Sequence, residues 1–180
     1  MIQVQIASTP NPAVMKFQFS QSLVDGQFHF DSIEDAFRSP LASKIFGFPW
    51  VLAVSLGSDF VTVTKASWVE WGFLQEPLAK LIEEHIQLGE ELLNEQIPAS
   101  NSHSYSPLEQ KIHAVLDKEI RPAVALDGGD VQFSRFENGI VYLKMLGACS
   151  GCPSQSTTLK QGIEVRLKEL SPEILEVRNG

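Results

Sequence analysis

Hydrophobic and polar residues alternate over the first stretches of the chain. Ile2, Val4 and Ile6 are separated by Gln3 and Gln5, and from Val14 to Phe19 one set (Met15, Phe17, Phe19) is apolar while the other includes Lys16 and Gln18. A period of two predicts strands over Ile2 to Ile6 and Val14 to Phe19, with Thr9-Pro10-Asn11-Pro12 turning the chain between them. Gln27 to Asp31 reads as a short third strand. Ser32 then caps a helical turn with Glu34 and Asp35 at its start, and Ser39-Pro40 opens a second short helix, Leu41 to Phe46. Trp50 to Leu56 and Phe60 to Lys65 form a hairpin around Gly57-Ser58-Asp59.

From Ser67 to Leu93 the period lengthens to that of a helix. Leu78, Leu81, Ile82, Ile86, Leu88 and Leu92 make a packing stripe, and Pro77 predicts a break or restart. Periodicity is then lost over residues 94–106, which fill with small polar side chains and read as a flexible linker. Beyond it, Leu108, Ile112, Val115, Leu116 and Ile120 mark an amphipathic helix opened by Ser106-Pro107 and bent or ended at Arg121-Pro122. Asp127-Gly128-Gly129-Asp130 turns into strand Val131 to Phe136, Asn138-Gly139 makes a hairpin turn, and Ile140 to Leu146 is the return strand. A helix from Ser156 to Leu170 buries Leu159, Ile163, Leu167 and Leu170, and Glu173 to Val177 closes the pattern as a strand. The expected fold is α+β in two small domains, 1–93 and 107–180, each a short, mainly antiparallel sheet packed against helices.

With 180 residues, 43% of them apolar, the chain can bury such cores. Charge is uneven: residues 1–100 hold 5 Lys and Arg against 12 Asp and Glu, and residues 101–180 hold 9 against 10. An acidic first half without clustered cations argues against nucleic acid as a partner and serves solubility. The longest uncharged apolar run, Ile45 to Val54, falls short of the roughly 18 residues of a bilayer span, so no membrane is expected. The opening Met-Ile-Gln-Val-Gln-Ile lacks the pattern of a secretion or transit signal. A cytoplasmic location is expected by default, or the mitochondrial matrix if the chain is a processed eukaryotic form.

Chemistry concentrates at Leu146-Gly-Ala-Cys149-Ser-Gly-Cys152-Pro153, where a strand ends and a helix begins. A helix N-terminus favours thiolate over thiol, Gly147, Ser150 and Gly151 let backbone approach the sulfurs, and Pro153 suits a first helical turn. Iron, zinc and disulfide exchange all use thiolates, so this alone does not choose among them. An iron–sulfur cluster usually takes four thiolates and the chain has two, so two chains must meet around one cluster, in a twofold dimer compatible with a 4Fe–4S cube. A cluster held that way releases readily, which suits a carrier. His29, His85, His103 and His113 share no spacing and are expected at surface positions. Asp127 and Asp130 read as turn residues more readily than as a carboxylate pair.

The segments Pro122-Ala-Val-Ala-Leu-Asp127-Gly-Gly-Asp130, Leu146-Gly-Ala-Cys149-Ser-Gly-Cys152-Pro153-Ser and Thr158-Leu-Lys160-Gln-Gly-Ile163-Glu164 resemble the C-terminal domain of the NifU-like (Nfu) proteins over residues 107–178. Thr9-Pro-Asn-Pro12 with Lys16-Phe17, Ser39-Pro-Leu-Ala42 and Asp59-Phe-Val-Thr-Val-Thr-Lys65 resemble the N-terminal Nfu domain. The resemblance implies a non-enzymatic scaffold or carrier that binds a 4Fe–4S cluster across a homodimer through Cys149 and Cys152. Client iron–sulfur apoproteins and upstream assembly proteins are the implied partners, and the N-terminal domain is implied to dock one or the other. Gln155 departs from the second serine that many relatives have after Cys-Pro-Ser, with no loss of binding expected. Two other readings stay open: a thioredoxin-like dithiol oxidoreductase and a zinc-bridged interaction module. The Asn-Gly hairpin ahead of the cysteines argues against the former, where a β-α-β crossover would be expected.

Overall fold

A computed structural model describes residues 3–94, 105–150 and 156–180. The chain folds as two compact α+β units, Met1–Ala99 and Ser100–Gly180. Most of the segment expected to be a linker, residues 95–104, lies outside the described residues, as do His103 and Cys152. Among the described residues no helix is long and apolar enough to cross a membrane.

The first unit is a five-stranded antiparallel sheet in the order β1 (Val4–Ser8), β2 (Val14–Phe19), β5 (Phe60–Lys65), β4 (Val51–Leu56), β3 (Phe28–Phe30). Alternation decides which side faces the helices. Phe17 is paired with Val61 and Met15 with Val63, while Val63 and Val61 face Val54 and Leu56 in turn, so one side of three strands is continuous hydrocarbon. Onto it pack Leu41, Ala42 and Ile45 of α2 (Pro40–Phe46) and Leu78, Ala79 and Ile82 of α3 (Trp71–Gln87). Ser32 and Ser39 cap α1 (Ile33–Ala36) and α2 as expected, each accepting a backbone N–H three residues on. Ser39 also donates its hydroxyl to Leu92 O at 2.6 Å, tying the chain beyond α3 back to α2.

Three expectations for this unit are corrected. The first strand, expected to end at Ile6, runs on to Ser8, because Val4 pairs with Phe19 and Ser8 with Met15 across a turn at residues 9–13, while Ile2 lies outside the described residues. The helix starts at Trp71 and ends at Gln87, and it passes through Pro77 unbroken. Proline there removes only the bond to Phe73 O, in an exposed first turn that water can serve. Leu88, just past the helix end, is 66% exposed and leaves the stripe, while His85 is buried within it. His85 Nε2 contacts Glu91 O at 3.1 Å, and Nδ1 lies 3.0 Å from Glu90 Oε2, off the direction of a hydrogen bond. A stripe read from apolar residues alone has no place for an imidazole. His29, by contrast, sits on β3, half-buried, with Nδ1 2.8 Å from Ser55 Oγ.

In the second unit α4 (Pro107–Val115) opens with a full capping box: Ser106 Oγ accepts from Glu109 N, and the Glu109 carboxylate accepts from Ser106 N at 2.8 Å. Arg121-Pro122 does not end the helix. A π-turn, Leu116–Ile120, shifts the register so that Arg121 N–H donates to Leu116 O, and α5 (Arg121–Leu126) continues with Pro122 in its first turn. Strands β6 (Gly129–Glu137) and β7 (Ile140–Gly147) form a hairpin around Asn138 and Gly139, both at positive φ, as the Asn-Gly pair requires. Helix α6 (Ser156–Leu170) then crosses over to β8 (Glu176–Asn179), which lies parallel to β7. The closing strand begins three residues later than expected because Gly139 O takes the Leu175 and Glu176 N–H groups before the ladder starts. Ile112, Leu116, Val131, Val141, Leu143, Ile163, Leu167 and Val177 fill the core. His113 departs from its expected surface position, half-buried between the rings of Tyr105 and Phe133.

Candidate metal centre

Two strand ends converge beneath Cys149. Gly129, the first residue of β6, is the register partner of Gly147, the last of β7. Gly128 and Gly147 both have positive φ, a conformation that is strained for side-chain-bearing residues, so the chain turns sharply on entering β6 and on leaving β7. After β7 the backbone closes a compact loop: Ala148 N donates to Gly128 O at 3.1 Å, Cys149 N to Leu146 O at 3.3 Å and Ser150 N to Gly147 O at 3.0 Å. The loop lays the Cys149 side chain directly over Gly129. A β-carbon on Gly129 would overlap Cys149 Sγ and lie 3.2 Å from both Cβ and N of the cysteine. Glycine at 129 is therefore the clearance that seats the sulfur.

Cys149 is 6% exposed and packs with the core, yet it borders open space. A cavity of about 390 Å³ lies between α5 and α6, lined on one side by Ile120, Ala123 and Val124, on the other by Leu159, Gly162 and Ile163, with Cys149 in its wall. Asp127 and Thr158 are the polar groups at its lining. Exposed ion pairs join the two helical walls: Arg166 of α6 meets Glu119 of the π-turn through Nε to Oε2 at 2.6 Å and Nη2 to Oε1 at 2.9 Å. That hydrogen bonding holds the Glu119 carboxyl below its ordinary pKa and raises that of Arg166.

The glycine turn is clamped from behind. Arg121 presents Nε and Nη2 to Asp130 Oδ1 and Oδ2 at 2.8 and 3.0 Å, and Nη1 to Asp117 Oδ1 at 3.0 Å. Asp130, buried at the start of β6, also accepts from Val131 N at 2.8 Å. Burial opposes the Arg121 charge, but the hydrogen bonds and charge of Asp130, followed by those of Asp117, outweigh it and raise the pKa of the guanidinium. The expectation that Asp127 and Asp130 are both turn residues holds for Asp127, which terminates α5. For Asp130 it is replaced by this ion pair.

Of the two sequence-predicted ligands, Cys149 is placed as described and Cys152 lies outside the described residues. Among the described residues no three His, Cys, Asp or Glu side chains gather where they could hold a metal ion. Gly129, the Arg121–Asp130 pair and the cavity were not singled out from sequence as parts of the site. The glycine doublet was the available signal for a close approach, and a turn accounted for it equally well.

Comparison with known proteins follows the same division. Residues 4–90 match the model described as scaffold protein Nfu/NifU N terminal, and residues 112–178 match the NifU-like domain, whose span includes both cysteines. Human NFU1 iron-sulfur cluster scaffold homolog, mitochondrial, is 38% identical over 175 residues, covering 95% of this chain and 69% of that protein. The chain belongs to the Nfu family. Arabidopsis thaliana NifU-like proteins 4 and 5, both mitochondrial, are each 39% identical over 179 residues. This Nfu chain spans 63% and 65% of the lengths of those two relatives.

Proposed function

We propose that this Nfu protein is an iron–sulfur cluster scaffold and carrier. It holds a 4Fe–4S cluster on Cys149 and Cys152 of two copies of the chain and transfers it to client apoproteins, without catalysing turnover of a substrate. The observation that carries the reading is the seat of Cys149: a sulfur held over Gly129 by a hydrogen-bonded loop, shielded from water yet open to a cavity on one side. Two thiols per chain supply half the usual ligand set of a cluster, so assembly needs a second copy, and parting of the copies frees the cluster. The likeness to the human NFU1 iron-sulfur cluster scaffold homolog supports the same role. The mitochondrial names of the relatives favour the matrix over the cytoplasm as its location.

The acidic first unit, without cysteine, is proposed as the docking module for clients or upstream assembly proteins. Dithiol exchange is less well supported, since the β6–β7 hairpin precedes the cysteines where a thioredoxin-like sheet calls for a β-α-β crossover. Transfer tests the function. Reconstituted protein incubated with an apo 4Fe–4S enzyme should restore that enzyme's activity in the presence of an iron chelator that blocks uptake of free iron. Restoration at the rate of free iron and sulfide alone would refute a carrier role, and insulin reduction by the apo protein would favour the oxidoreductase.

A further inference from the structure

Two large aromatic side chains of the first unit stand in solvent on one short segment leading into α3. Trp68 is 69% and Phe73 84% exposed, while Val69, Trp71 and Leu74 from the same segment turn inward and pack against the core. Single apolar residues on a surface need no explanation, but two rings this close in sequence make a patch. The segment is fixed from beneath. Trp71 Nε1 donates to Pro12 O at 3.0 Å, its ring meets that of Trp50 edge-on at 6.3 Å, and the buried Lys65 donates Nζ to Val69 O at 2.7 Å. Rings carried on a platform that is already ordered lose little freedom when a partner covers them. Glu70 lies between the two rings at the N-cap of α3, and its carboxylate makes no cap hydrogen bond. Phe73 follows Glu70 by three residues across the helix start, and the exposed Glu76 follows Phe73 by three, spacings that set side chains next to each other.

We infer that Trp68, Glu70 and Phe73 form a docking patch for a partner protein's segment that carries Arg or Lys between apolar residues. The inference deepens the docking role proposed above for the first unit and rests on it. Apolar side chains of such a segment cover the two rings, its cation stacks on the Trp68 face, and Glu70 and Glu76 meet its charge. The unit has few cations of its own to compete. Of the 5 Lys and Arg in residues 1–100, Lys16 and Lys65 are buried, and Arg38 and Lys44 are paired with Asp35 and Glu90. Lys80, the fifth, lies a turn beyond Glu76. The 12 Asp and Glu of the same residues select against the other surfaces that exposed rings serve, because anionic lipid and a second copy of this acidic unit are both repelled.

The test follows isotope-labelled, full-length apo protein by NMR as it is titrated with a short amphipathic peptide of leucine and arginine, and with the same peptide carrying glutamate for arginine. Amides of residues 67–76 should shift with the arginine peptide, and the glutamate peptide should bind about tenfold more weakly or less. Trp68→Ser and Phe73→Ser each remove an exposed ring, so the thermal midpoint should hold while affinity for the arginine peptide falls about fivefold or more. Glu70→Gln should weaken binding severalfold and flatten its dependence on salt. Three independent variants keep the test open should one fail to fold. Wild-type affinity in all of the folded variants would overturn the inference. So would sedimentation of the protein with phosphatidylserine vesicles, or an apo dimer that Phe73→Ser dissolves, since each assigns the rings to another occupant. Shifts confined to other parts of the first unit would overturn the patch and leave the docking role standing, whereas an arginine peptide that moves no amide of the first unit would contradict both.

Discussion

Cys149 Sγ occupies the space that a β-carbon on Gly129 would need. The two residues lie 20 positions apart in sequence, on separate strand ends that the β6–β7 hairpin brings into register through the Gly129–Gly147 pair. Gly129→Ala therefore has to push the cysteine loop away. Iron and sulfide retained after reconstitution should fall severalfold, with a loss of stability of about 1–3 kcal/mol from overpacking. Gly162→Ala, equally conservative but in open space, should lose none. Iron analysis beside thermal denaturation separates the two, and undiminished cluster content in Gly129→Ala would remove the role assigned to that contact.

Arg121 and Asp130 hold the turn that carries Gly129. Arg121→Leu leaves a buried carboxylate without its two-pronged partner and should destabilise the second unit by about 2–3 kcal/mol. Asp130→Asn, which removes the charge but keeps a hydrogen-bonding side chain, should cost less. Hydrogen exchange at Val131 and Ala148 amides reads the effect locally, and equal protection in wild type and Arg121→Leu would show that the clamp is not what holds the turn.

The positions of these groups explain how much was legible in the sequence. Strand and helix periods, the Ser32, Ser39 and Ser106 caps and the Asn138-Gly139 turn are local features, and they appear in the structure within a few residues of expectation. What was missed depends on contacts distant in sequence or on a change of register. Pro77 looked like a break or restart and Pro122 like a bend or an end, but one falls where the lost bond faces water and the other follows a π-turn that five residues of ordinary helical pattern do not reveal. His85 is buried against Glu90 and Glu91 of a segment that folds back toward α2, and no spacing rule anticipates that return. Cys149 was recognised from its spacing to Cys152, whereas the cavity beside it exists only once α5 and α6 are placed.

The capping box at α4 should make the second unit sensitive to acid. Backbone and then side-chain hydrogen bonding by Ser106 hold the Glu109 carboxyl below its ordinary value of 4.5. A carboxylate whose folded pKa is depressed adds stability above its unfolded pKa and loses it as pH falls through the lower, folded value. Protection of α4 amides should therefore decline below about pH 4.5 in wild type. Glu109→Gln, which can still accept from Ser106 N, should show a flatter decline, and an unchanged profile in that variant would exclude Glu109 as its source.

In the first unit the buried Ser39 hydroxyl serves two partners, accepting from Ala42 N at 3.1 Å and donating to Leu92 O. Ser39→Ala removes a helix cap and leaves a carbonyl without that donor, for an expected loss of about 1–2 kcal/mol. Faster exchange should appear together at α2 and in residues 88–94, and a change confined to α2 would show that the Leu92 contact contributes nothing.

The central claim is that two copies of this chain share one cluster through Cys149 and Cys152. Its most direct measurement is iron, acid-labile sulfide, zinc and molecular mass on a single anaerobically reconstituted sample of wild type beside Cys149→Ser. The account predicts a brown dimer with about two iron and two sulfide per chain and no stoichiometric zinc, with both colour and dimer lost in the variant. A colourless monomer, or a dimer that holds zinc without sulfide, would contradict it.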